Sequence, residues 1–194
     1  MPPLAQRLDF ISVADYLAGE KVSADKYEYI AGRVYAMAGA STNHNRITRN
    51  FLALLWNALK GQPCEPFSSD MLVKTAHDRF RYPDLTVVCN DDASQDAYVR
   101  ENPVLIVEVL SSHTRRKDKT EKRYEYLALP SLQEYILIEQ DIAEVEVQRR
   151  STNWQSVYYY LGQDIELESI GVTVSVADLY ERVDNNDVKQ WLTQ

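Results

Sequence analysis

The stretch Pro103-Val-Leu-Ile-Val-Glu-Val-Leu110 constrains this chain more than any other. An apolar run of this length without polar alternation describes a central strand buried on both faces, as in sheets covered by helices. Glu108 interrupts it. Side chains alternate along a strand, so Ile106, Glu108 and Leu110 share one face. A lone carboxylate there carries a heavy desolvation cost. The cost falls if Glu108 lies near the strand end and meets a cation.

A second apolar run, Tyr82-Pro-Asp-Leu-Thr-Val-Val-Cys89, carries Asp84 at its start. We read residues 80–89 as one strand beside the Glu108 strand, so that the two acids meet. A basic segment, residues 115–123, opens a helix over 116–129 that stops at Pro130. Spacings of three and four put Lys119, Lys122 and Tyr126 on one helix face, with Tyr124, Leu127 and Ala128 on an apolar face. Residues 134–139 form the next strand. A right-handed crossover makes it parallel to the Glu108 strand.

The remaining elements build the scaffold. Ser12-Val-Ala-Asp15 is a helix start, with the helix ending near Gly19. Residues 27–30 and 33–38 form a hairpin in which Glu28 faces away from its two neighbouring tyrosines. Ser41 caps the longest helix, which carries Ile47, Phe51, Leu54, Leu55, Ala58 and Leu59 on one face and ends before Gly61. Leu52 and Trp56 widen that face, which predicts cover on more than one side. Residues 69–75 are a strand, 90–102 a solvated loop, and 145–149 and 156–161 antiparallel additions to the sheet. A short helix over 176–182 closes the chain. These elements make an α/β fold with a mixed sheet flanked by helices, in a single domain over 1–194 with its core at about 12–180.

The net charge of −8 argues against a general nucleic-acid-coating protein, because phosphate neutralisation supplies most non-specific affinity. It leaves room for a nuclease, whose carboxylates hold a metal while basic contacts are confined to one face. Two or three carboxylate oxygens plus water suit Mg²⁺ or Mn²⁺. Residues 1–10 lack an apolar signal core, and no run is long enough to span a bilayer. The expectation is a cytoplasmic protein with no membrane contact. In that compartment Cys64 and Cys89, the only cysteines, are expected to be reduced, with Cys89 in the core.

At these residues the chain resembles a known family. Pro83-Asp84 followed by the strand residue Glu108 is similar to the PD-(D/E)XK nuclease superfamily, and more closely to its Uma-two branch of restriction endonucleases. The resemblance is carried by Tyr27-Glu-Tyr-Ile-Ala-Gly-Arg-Val-Tyr35, the helix start at His44, Tyr82-Pro-Asp-Leu-Thr-Val-Val88 and Val107-Glu-Val-Leu-Ser-Ser-His-Thr-Arg-Arg-Lys-Asp-Lys-Thr-Glu-Lys122. Pro130-Ser-Leu-Gln-Glu-Tyr-Ile-Leu-Ile138 continues it, and the whole spans roughly residues 12–179. It implies a restriction-endonuclease-like core, a divalent metal held by Asp84 and Glu108, and phosphodiester hydrolysis on DNA. The superfamily pattern wants a lysine two residues after the Glu, where this chain has Leu110. The Uma-two branch instead carries one in the following helix, at Lys122, with Lys119 as the fallback. Glu28 matches a glutamate of the family's first hairpin, as a further metal or water ligand or as an exposed strand residue. His44 matches a histidine that touches phosphate, braces a carboxylate or is satisfied at the helix end. Arg115, Arg116 and Lys117 would grip the backbone of a duplex, and cutting both strands makes a homodimer natural.

Three readings follow. The first is a metal-dependent DNA endonuclease. The second is a nuclease-derived DNA-binding or regulatory protein without turnover, favoured by Leu110 and the acidic charge. The third is a hydrolase of another phosphate ester.

Overall fold

The computed structural model describes residues 10–90 and 96–193. Residues 1–9 of the segment read for a signal peptide and residues 91–95 of the loop expected at 90–102 lie outside the described residues. Helix α1 (Val13–Glu20) is capped by the Ser12 hydroxyl, which accepts from the Asp15 amide. A hairpin follows, β1 (Tyr27–Ile30) and β2 (Arg33–Ala36). Its turn places Ala31 and Gly32 at positive φ, as tight hairpins require. Helix α2 (Thr42–Ala58) starts on Ser41, whose hydroxyl accepts from the His44 amide.

Strands β3 (Glu65–Ser68), β4 (Leu72–Ala76), β5 (Arg79–Arg81) and β6 (Leu85–Val88) come next. The short β7 (Val99–Arg100) leads into β8 (Pro103–Leu110). The helical segment after β8 has three parts: α3 (Arg115–Lys117), a π-helical turn (Asp118–Lys122) and α4 (Arg123–Leu127). Strands β9 (Glu134–Glu139), β10 (Glu144–Arg149) and β11 (Ser156–Tyr160) precede a separate hairpin, β12 (Asp164–Leu167) and β13 (Val172–Ser175). Helices α5 (Val176–Leu179) and α6 (Asn186–Trp191) end the chain.

The strands form two larger sheets, one ordered β2-β1-β5-β4-β7 and one ordered β11-β10-β9-β8-β6-β3. The fold is α/β with mixed pairing, as expected. Strand β8 lies inside the second sheet, parallel to β9 and antiparallel to β6. Leu105, Val107 and Val109 point to the α2 side, where Ile47, Phe51 and Leu55 are buried with them. Ile106 and Leu110 point to the opposite side and pack with Tyr126, Leu129 and Leu137. Cover on both faces is why the run shows no alternation.

Several expectations are corrected. Residues 80–89 are not one strand: the chain leaves β5 at Arg81, turns through Tyr82-Pro83-Asp84 and enters β6 in the other sheet. Proline has no amide hydrogen for a ladder and biases its predecessor away from helix, so the break falls there. The loop expected over 90–102 includes β7, parallel to β4. Trp56 is exposed, so α2 is covered on one face only. Tyr124 is also exposed, at 72 %, while Tyr126 is fully buried. Cys64 and Cys89 are joined in a disulfide rather than reduced. They sit one step past the Glu65↔Val88 pair of the β3–β6 ladder, directly opposite each other.

Candidate active site

The corner at Pro83 sets the site at the junction of the two sheets. Glu28 comes from β1 of the first sheet and Glu108 from β8 of the second. The register Leu85↔Val107 brings Asp84, just before β6, level with Glu108. The helical segment 115–127 covers the junction and delivers Lys122 from above.

Lys122 is the centre of the cluster. Its ammonium lies 2.8 Å from Glu108 Oε1, 3.3 Å from Glu28 Oε1 and 3.4 Å from Asp118 Oδ1. Burial alone would push its pKa down, but Glu108, Glu28 and Asp118 together hold it above the usual lysine range. Glu108 is 3 % exposed. Burial raises its pKa well above the ordinary 4.5, and Lys122 only partly opposes this while Asp118 and Asp84 add to it. Its Oε1 also accepts from the Tyr126 hydroxyl at 2.9 Å. Asp118 is likewise raised, first by burial.

Asp84 is fixed through one oxygen. Its Oδ2 accepts the Val109 amide at 2.7 Å and lies 3.1 Å from His44 Nε2. An ionised carboxylate only accepts, so Nε2 carries the proton in that bond. Among the described residues no hydrogen bond reaches Asp84 Oδ1, nor Glu28 Oε1 nor Asp118 Oδ1, and the last two are buried.

The π-helical turn explains which lysine arrives. Asp118 and Lys122, four residues apart, lie together as on any helix, while the wider turn sets Lys119 apart from Lys122, toward Glu139 at 3.4 Å and Glu146 at 3.6 Å. The shared face expected for Lys119 and Lys122 is therefore corrected, and the fallback to Lys119 is not supported. Two of the three basic residues expected to grip a backbone are engaged within the fold. Arg115 pairs with Glu139, and Lys117 donates to Glu28 Oε2 at 2.7 Å. Only Arg116 of the three is exposed with no ion pair among the described residues.

Behind Glu28 stands Arg81, fully buried at 0 % exposure. Its Nη1 donates to Glu28 Oε2 at 2.9 Å, Nε and Nη2 grip Glu125 at 2.8 and 2.6 Å, and Nη2 also reaches Glu121 at 2.6 Å. This planar fork matches a carboxylate in a way that lysine does not. Burial alone would raise the Glu28 pKa; Lys122, Arg81 and Lys117 outweigh it and lower it from 4.5 to about 2.

The sequence reading thus brings together Glu28, His44, Asp84, Glu108 and Lys122. It missed Asp118, Arg81, Glu121 and Glu125. Asp118 had a signal, its place four residues before Lys122 on a helix. Arg81, between Phe80 and Tyr82, had only the pattern of an ordinary alternating strand.

Carboxylate oxygens are the donor type that a hard divalent cation takes. Magnesium keeps several waters and needs only one or two protein carboxylates. Among the described residues no three His, Cys, Asp or Glu side chains converge so as to hold a metal ion. Two carboxylates at the junction, with an excess of negative charge around one ammonium, remain compatible with such an ion.

Comparison with other proteins bears on the family and the fold. Residues 13–177 match the family model of Uma-two, described as "Putative restriction endonuclease". Two uncharacterized proteins of Synechocystis are similar to the chain. One is 31 % identical over 173 residues, 88 % of this chain and 91 % of the relative. The other is 37 % identical over 164 residues, 81 % and 92 %. A crystal structure from Anabaena variabilis, titled as a "putative nuclease belonging to DUF820", shares the fold with a TM-score of 0.72 at 17 % identity, covering 88 % of this chain and 98 % of that one. The family match takes in Glu28, His44, Asp84, Glu108 and Lys122 alike, and on that match the chain belongs to the Uma-two restriction endonuclease family.

Proposed function

We propose that the chain hydrolyses phosphodiester bonds in DNA as a metal-dependent endonuclease, with Asp84 and Glu108 holding Mg²⁺ or Mn²⁺. The observation that carries the reading is the buried Lys122 ammonium among Glu28, Glu108 and Asp118, level with Asp84. A bound divalent ion would supply Lewis-acid polarisation of a phosphate oxygen.

The chain's own residues do the rest. Lys122 stays protonated, so it is a donor and a fixed positive charge rather than a base. It orients the attacking water and stabilises the charge that builds on the phosphate. Asp118, with a raised pKa and a buried oxygen that lacks a hydrogen bond, is the carboxylate suited to accept the water's proton. Tyr126 holds the Glu108 carboxylate in place, and His44 with the Val109 amide holds Asp84.

The test is calorimetric titration of Mg²⁺ or Mn²⁺ into wild type and Glu108→Ala, with plasmid cleavage run on the same samples. Binding lost in the variant and cleavage confined to wild type are the expected results. Specific metal binding absent from wild type would sink the reading. The second reading, a nuclease-derived protein without turnover, would then stand. It is favoured by Leu110, where the superfamily pattern has a lysine, and by the net charge of −8.

A further inference from the structure

The outer edge of the first sheet carries an aromatic side chain that lies outside the apolar cores. Strand β2 is the edge strand, and all four of its residues are exposed. Tyr35 is 43 % exposed and belongs to none of the three apolar clusters. Its position is nonetheless tied to the site. The hairpin register pairs Tyr35 with Glu28, and directly opposed residues project to the same face. The Lys117 ammonium lies 2.7 Å from Glu28 Oε2 and 5.8 Å from the Tyr35 ring centroid, so one cation touches both. Arg33, two residues from Tyr35, shares that face, is exposed and forms no ion pair among the described residues.

We infer that β2 is a subsite for an unpaired nucleotide. Tyr35 stacks on its base, while Arg33 meets an adjoining phosphate and Lys117, paired with Glu28, stays beside the ring. The inference rests on the nuclease reading above and names its substrate as a single strand or a frayed end, where the sequence had suggested a duplex. Within a duplex the base faces are already stacked on one another, so an exposed ring finds a partner only on an unpaired base. Stacking on aromatic rings beside a cationic groove is how proteins hold single strands without reading sequence. The acidic net charge points the same way: a few local cations with a stacking ring replace a broad basic surface.

The experiment is fluorescence anisotropy with end-labelled single-stranded and blunt duplex oligonucleotides of one sequence. It uses the full chain in EDTA and low salt, so that no strand is cut. Wild type should prefer the single strand. Tyr35→Ala should weaken that binding about tenfold, and Tyr35→Phe, which keeps the ring face, should restore it to within about twofold. Equal binding of both oligonucleotides by wild type, or wild-type affinity in Tyr35→Ala, would overturn the inference. So would a Tyr35→Ala variant that changes sedimentation but not oligonucleotide affinity, because β2 would then be a contact between copies. Plasmid cleavage in Mg²⁺ keeps the two readings apart. Cleavage by wild type with binding indifferent to Tyr35 removes the subsite and leaves the nuclease. Binding that depends on Tyr35, without cleavage, removes the nuclease and leaves the subsite.

Discussion

The carboxylates around Lys122 do not play equal parts. Glu108 and Asp118 have raised pKa values, while Glu28 is held at about 2. For Glu28 the folded value lies below the ordinary 4.5, so its contribution to stability is full above pH 4.5 and fades as pH falls toward 2. That contribution is on the order of 3 kcal/mol. Denaturant unfolding of wild type and Glu28→Gln should therefore show a stability gap near neutral pH that narrows between pH 5 and about 2. A gap independent of pH would mean that Glu28 is not paired as the geometry shows. Glu108→Ala should lower cleavage by more than about 100-fold with the fold intact, because Lys122 keeps Glu28 and Asp118 as partners. Circular dichroism and plasmid cleavage on the same sample check both halves. At this scale Glu108 was legible because a charge inside an apolar run is costly and needs a reason. Arg81 was not, because an arginine between two aromatic residues reads the same whether its head group meets water or three carboxylates.

Among the elements, the π-helical turn at Asp118–Lys122 has the most direct bearing on chemistry. An uninterrupted 3.6-residue period would put Lys119, Lys122 and Tyr126 in one row. The wider turn instead sends Lys119 to β9 and β10 and keeps Asp118, Lys122 and Tyr126 at the Glu108 side. Deleting the exposed Thr120 should return the segment to a regular helix. Asp118 and Lys122 are then three residues apart, still on one face but displaced from Glu108, and cleavage should fall about 100-fold while helix content holds, since a displacement near 1 Å can cost that much. Cleavage at the wild-type rate would show that the extra residue does not set the geometry. Periodicity is an average over turns, which is why a single irregular turn escaped it although the helix itself was legible. The same holds for β3. Pro66 argues against a strand, yet β3 lies at the sheet edge, where a missing ladder donor is tolerated.

Across the whole molecule, the two sheets meet at one corner, and the sheet that holds Glu108 is tied at its far end by the Cys64–Cys89 disulfide. Strand β6 links the two features. Asp84 precedes it and Cys89 follows it, about 17 Å apart along an extended chain. The parallel placement of β8 and β9 was legible from strand, helix, strand order, because the handed crossover admits little else. The disulfide was not legible, because two cysteines 25 residues apart do not announce that a ladder register will set them opposite each other. Closing a loop of that size restricts the unfolded chain and contributes about 3 kcal/mol. Reduction, or the double change Cys64→Ser with Cys89→Ser, should lower the Tm by about 10 °C in a chain of this length. Metal affinity and cleavage at 25 °C should remain near wild type, since β6 is also held by β8 on its inner side and the Asp84 end keeps the Val109 amide and His44. Scanning calorimetry with and without reductant reads the first quantity, and metal titration of the reduced protein reads the second. An unchanged Tm would show that the β3–β6 ladder holds without its covalent tie. A lower Tm with metal binding also lost would show that order at the edge of the sheet reaches the site through β6, and that the junction is not rigid by itself.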